Sequence, residues 1–64
     1  MTLKTWTPNK PAAGRLIGFF HGDEGDFTGN ISSLYGGTFY EIRLTEGHRK
    51  GELLLVTRVY EAQD

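Results

Sequence analysis

Three sets of residues in this chain are of types that do chemistry: a run of acids, a pair of histidines, and aromatics interleaved with arginines. Asp23, Glu24 and Asp26 put carboxylates close enough together to offer oxygen ligands to a hard cation. Calcium, however, takes six or more oxygens from a defined loop, and EF-hand spacing with its closing glutamate is missing. His21 and His48 lie in separate segments without a partner at metal-ligand spacing, so they read as strand-end or surface histidines. A general acid–base pair drawn from Glu41 and Asp26, or from either histidine with a carboxylate, has no spacing that selects it. Ser32 and Ser33 lack a nucleophile-elbow context. With little volume for a substrate pocket in so short a chain, the expectation is a non-enzyme without cofactor or metal.

The aromatics and arginines support two binding readings. In the first, an exposed Tyr35 or Phe39 beside arginine anchors a protein partner, edge strands offer backbone pairing, and the acidic run Asp23, Glu24 and Asp26 meets a basic surface. In the second, Phe19, Tyr35 and Phe39 near Arg15, Arg43, Arg58 and the Arg49-Lys50 turn form a stacking platform for single-stranded nucleic acid. Charge separates them. Seven Lys and Arg against eight Asp and Glu give a formal net charge of -1, whereas single-strand binders depend on neutralising phosphates. The protein-binding reading therefore leads, nucleic acid is the alternative, and a structural subunit that forms homo-oligomers is a third.

These residues are carried by four β-type segments, Leu16–His21, Asp26–Ser32, Thr38–Leu44 and Glu52–Tyr60, separated by glycine-bearing turns. Phe27, Gly29 and Ile31 alternate with Thr28, Asn30 and Ser32, the period-two pattern of a half-wet strand. Tyr40, Ile42 and Leu44 alternate likewise with Phe39, Glu41 and Arg43, leaving Phe39 either packed on Arg43 or displayed. Leu16–Phe20 and Leu53–Val56 are apolar on both faces, so something must cover the second face: the arm, curvature of the sheet, or another copy. Gly18 and Gly29 inside strands favour a curled sheet. Gly22–Gly25 and Glu46–Gly51 read as turns, and Ser33–Gly37 as a loop whose Leu34 and Tyr35 either cap the core or form an exposed tip.

Pro8 and Pro11 make residues 1–13 an extended arm, anchored by Trp6 over an open end of the sheet. Residues 14–60 form the sheet, and the polar tail 61–64 should fray. The fold expected over residues 1–64 is thus all-β, a four-stranded antiparallel meander curled toward a small barrel. A domain this small buries only about 60% of the surface its unfolded chain exposes, and without cysteine it has no disulfide. That lack fits a reducing cytoplasm, and with no apolar run long enough to span a membrane a soluble cytoplasmic protein is expected.

The stretch Ile17-Gly18-Phe19-Phe20, then Phe27-Thr28-Gly29-Asn30-Ile31 and Ser33-Leu34, resembles the opening hairpin of a family of small bacterial proteins of unsettled function, often carried on mobile elements. Their members begin with an IG-x-F segment and then an FTG-x-I segment. Tyr40-Glu41-Ile42 extends the resemblance, while the family's later tryptophan-lysine segment has no counterpart here. What the resemblance implies is a β fold and a phage or mobile-element origin, consistent with a small inhibitor or accessory factor.

Overall fold

The structure, a computed structural model, describes residues 2–63. Six strands, β1 (Thr2–Thr5), β2 (Arg15–Phe20), β3 (Asp23–Leu34), β4 (Gly37–Leu44), β5 (Leu53–Val56) and β6 (Tyr60–Gln63), form one antiparallel sheet in the order β1-β6-β2-β3-β4-β5. The all-β expectation holds, with two strands more than the four read from sequence. The additional ones come from the arm and the tail.

Register explains the core. Gly25 lies opposite Leu44 and Phe27 opposite Ile42, while Ile42 and Tyr40 lie opposite Leu54 and Val56. Directly opposed residues share a face, so this ladder puts the apolar members of three strands on one inner side. Tyr40, Ile42, Leu44 and Val59 form the buried cluster, with Trp6, Leu16, Phe20, Phe27, Leu54 and Val56 packed around it. Gly18 shows how far the sheet curls. A Cβ there would stand 2.9 Å from Ile42 Cγ2 and 3.3 Å from Val56 Cγ2, so β2 faces β4 and β5 across the core. The interior glycine is thus a point of close approach, in regular register opposite Gly25. The curl stops short of a barrel, and β1 and β5 are the two edges of the sheet.

The turns are shorter than expected. His21 (φ 50°) and Gly22 (φ 85°) join β2 to β3, and Tyr35 (φ 49°) and Gly36 (φ 78°) join β3 to β4. Two consecutive positive φ angles define the type I′ hairpin, whose twist matches that of the flanking strands. Pairing therefore continues right up to each turn: Asp23–Gly25, expected to be loop, opens β3, and Ser33-Leu34 closes it. Between Phe27↔Ile42 and Ile31↔Tyr40 the register shifts. Thr28, Gly29 and Asn30 there confront the lone Glu41, a bulge that bends the strand.

The segment expected to run from Glu52 to Tyr60 is broken into β5 and β6 by a bend at Thr57–Val59. The bend drives Val59 fully into the core, and neither glycine nor proline marks it. The arm behaves as expected at Trp6, whose ring meets Phe27 at 5.7 Å and Tyr40 at 6.4 Å and whose Nε1–H donates to the Lys10 carbonyl at 3.0 Å. The tail does not fray through Gln63, and Asp64 lies outside the described residues. Tyr60–Gln63 pairs with β1 on one side and β2 on the other. Glu61 is 7% exposed, and its Oε2 accepts from the Ala13 N–H at 3.2 Å and Gln63 Nε2 at 3.5 Å. Polar side chains disguised an interior strand, because its order comes from backbone pairing on both sides.

Candidate functional site

The acidic run is dismantled by strand alternation. Glu24 and Asp26 project from the outer face, where Arg15 Nη2 lies 2.9 Å from Glu24 Oε2 and 3.7 Å from Asp26 Oδ1. Arg43 is the register partner of Asp26. Asp23 falls on the opposite face, against Gly47, where any side chain on the glycine would collide with its carboxylate. The Glu24 N–H and C=O are also engaged, the first by Glu46 Oε2 at 3.2 Å and the second by the Thr45 N–H at 2.9 Å. The three carboxylates thus serve a charge ladder and a loop contact. Among the described residues no group of three or more His, Cys, Asp or Glu is arranged to hold a metal ion.

The two histidines, far apart in sequence, line one shallow depression of about 220 Å³ with Phe20, Asp23 and Arg49. His21 stands edge-on to Phe20 at 4.3 Å, and the Arg49 guanidinium sits 5.6 Å above the same ring, a cation–π contact that holds the loop on β2. Nothing in the spacing signals this meeting, which the β3–β4 pairing creates by setting the start of β3 beside Thr45–Gly47.

The aromatics and arginines of the stacking platform are not gathered into one patch. Phe19, 38% exposed, packs on Tyr60 at 6.0 Å, and the pair lines a depression with Val56, Thr57 and Arg58. Phe19 is opposite Glu24, and Phe39 is opposite Ser32. That separation along β3 amounts to on the order of 20 Å at the rise of a strand. Phe39 is half-buried, and its Cε2 passes 3.6 Å from where a Gly37 side chain would begin. It leans toward the hairpin end and away from Arg43.

That hairpin end is the feature sequence left undecided. Tyr35 projects at the tip with 102% relative exposure, and Leu34 and Ile31 beside it are 43% and 42% exposed. Leu34 and Phe39 share one face of the hairpin by register. At its base, Glu41 Oε1 accepts from Thr28 Oγ1 at 2.7 Å and Asn30 Nδ2 at 2.9 Å, tying the bulge to β4. The Asn30 and Thr28 hydrogen bonds, aided by Arg43, hold the Glu41 carboxyl below its usual pKa. A bulge fastened at both of its side-chain donors aims the apolar tip away from the core.

Leu53 and Leu55 on the outer side of β5 add two more exposed apolar residues at 49% and 43%. Register sets Leu55 opposite Glu41 and Leu53 opposite Arg43, so the second face of this apolar strand stays uncovered. By contrast Ile17, on the outer face of β2 between Asp26 and Tyr60, is fully buried. The arrangement is suited to surface contact: an aromatic tip, an apolar outer strip and a largely self-neutralised charge ladder. No protein-family model, curated protein or solved structure matches this chain.

Proposed function

We propose that this chain is a non-enzymatic protein-binding module that engages its partner through the β3–β4 hairpin tip. The observation carrying this reading is Tyr35, an aromatic residue fully exposed at 102% and held at φ 49°. An L-residue in this left-handed conformation costs roughly 1–2 kcal/mol, and asparagine or glycine would fill a type I′ turn more comfortably. Tyr35 buries nothing within the chain to offset that strain. A strained, exposed tyrosine is well explained as a contact residue, because tyrosines dominate the centres of protein interfaces. Phe39 and Leu34 supply the flanking apolar surface, and the Glu41-tied bulge fixes the direction of the tip. The resemblance over residues 17–42 points to a mobile-element origin, and within this proposal the narrower reading is an inhibitor or accessory factor.

The test is a photo-cross-linking residue placed at Thr38, exposed beside the tip, and, as a control, at Asn9 in the arm, irradiated in extract of the source cells. The expected result is one discrete protein adduct from position 38. It is competed away by excess unmodified chain but not by the same excess of Tyr35→Ala, whose binding is weaker by about thirtyfold or more. Cross-linking to nucleic acid, or equal labelling from both positions, would overturn the reading. A single-strand nucleic-acid surface is the second reading, supported by the exposed Phe19 stacked on Tyr60 beside Arg58. It requires oligonucleotide binding that falls steeply with salt and disappears in Phe19→Ala.

A further inference from the structure

We infer that the free edge of β5 is a homodimerisation strand, pairing antiparallel with β5 of a second copy about a twofold axis at Leu55. The surface is separate from the hairpin tip. An edge strand presents unpaired N–H and C=O groups, and proteins usually guard it with lysine, proline or a bulge. The opposite edge, β1, carries Lys4. β5 reads Leu-Leu-Leu-Val without charge, proline or internal register shift. Two of its leucines, Leu53 and Leu55, are 49% and 43% exposed.

The phase of the ladder sets which groups are free. The Leu44 N–H donates to the Glu52 carbonyl at 3.0 Å. Alternation then turns the backbone of Leu54 and Val56 toward β4 and leaves the N–H and C=O of Leu53 and Leu55 at the open edge. Those are the groups a second strand would bond.

Symmetry limits the register. A twofold axis perpendicular to the sheet keeps outer face with outer face, so the residue on the axis must oppose its own copy. An axis at Leu54 would bring Lys50 toward Arg58, two like charges. An axis at Leu53 would set Glu52 against Leu54 and His48 toward Arg58, and one at Val56 would set Leu54 against Arg58. An axis at Leu55 sets Leu54 against Val56 and Leu53 against Thr57, with Glu52 of each copy meeting Arg58 at the other's bend, twice over. An axis at Leu54 also matches apolar with apolar, Leu53 against Leu55, so the charges decide: opposite charges at both ends of the apolar stretch, in the Leu55 register, identify a second copy as the occupant. Among the described residues neither Glu52 nor Arg58 has an ion-pair partner within the chain.

The experiment is sedimentation equilibrium of the full chain across about two decades of concentration, where mass action moves a dimer equilibrium into view. The wild type is expected to rise from monomer mass to twice that mass and stop. Leu55→Lys, which opposes two ammonium groups on the axis, is expected to stay monomeric while keeping its circular dichroism spectrum. Glu52→Arg and Arg58→Glu should each raise the dissociation constant about tenfold, and the double exchange should restore it. Tyr35→Ala should leave the dimer unchanged, which separates this surface from the proposed partner site. A wild type that remains monomeric, a dimer indifferent to Leu55→Lys, or mass that grows without limit through pairing of β5 with β1 would overturn the proposal. Failure of the double exchange to rescue would overturn the Leu55 register.

Discussion

Replacing Tyr35 by asparagine should make the protein more stable while removing its proposed function. The ring has no intramolecular contact to lose, being 102% exposed, and the backbone at φ 49° is already paired on both sides of the turn. The whole effect on folding then comes from conformational preference. Asparagine tolerates the left-handed region and relieves about half of the roughly 1–2 kcal/mol that an L-residue incurs there, a gain of about 0.5–1 kcal/mol. For a domain this small, 1 kcal/mol moves the melting midpoint by roughly 4–8 °C, so the expected rise is about 2–8 °C. Alanine needs the same left-handed backbone and should melt within about 2 °C of wild type, while glycine relieves the strain but loses more chain entropy and should fall between alanine and asparagine. Thermal melts followed by circular dichroism, at one fixed protein concentration, give the order. An alanine variant melting well below wild type would show that the ring packs on the chain. An asparagine variant no better than alanine would show that the tip is not left-handed. Either result would remove the reason for reading Tyr35 as a contact residue.

Two close-approach glycines should differ in a defined order. A Cβ on Gly25 would stand 2.8 Å from the Arg43 carbonyl oxygen, and the backbone of β4 must move to admit it. At Gly18 the clash is with the side chains of Ile42 and Val56, which can shift. Gly18→Ala should therefore destabilise by about 1–3 kcal/mol, the usual range for overpacking a core, and Gly25→Ala by more, as read from urea midpoints. Equal effects would contradict the geometry. Glu41→Gln tests the bulge: because the folded-state pKa of Glu41 is lowered by Asn30 and Thr28, its contribution is present above the unfolded value and lost as pH falls through the folded one. The stability gap between wild type and Glu41→Gln should accordingly be constant near neutrality and close below the ordinary carboxylate range, and a gap that widens on acidification would refute the sign.

The alternating runs Phe27–Ile31 and Phe39–Leu44 pointed to the class of fold from sequence, because a period of two is compatible with little else than a half-buried strand, although a bulge interrupts the pleat of the first run. Trp6 was equally legible, since one indole in an irregular arm has few ways to be satisfied except by closing a core. Tyr35 and Phe39 could be named as contact candidates by residue type alone. Tertiary structure decided the rest. The polar Tyr60–Gln63 became an interior strand through backbone bonds to two neighbours, and backbone bonds leave no mark in side-chain composition. Asp23, Glu24 and Asp26, close together in the chain, were sent to opposite faces by the pleat, and Glu24 and Asp26 were met by Arg15 from the neighbouring strand. Exposure of Tyr35 and of the Leu53–Leu55 edge was decided the same way. Sequence specifies which side chains share a face, but whether a face is covered depends on which strand the curl of the sheet brings over it.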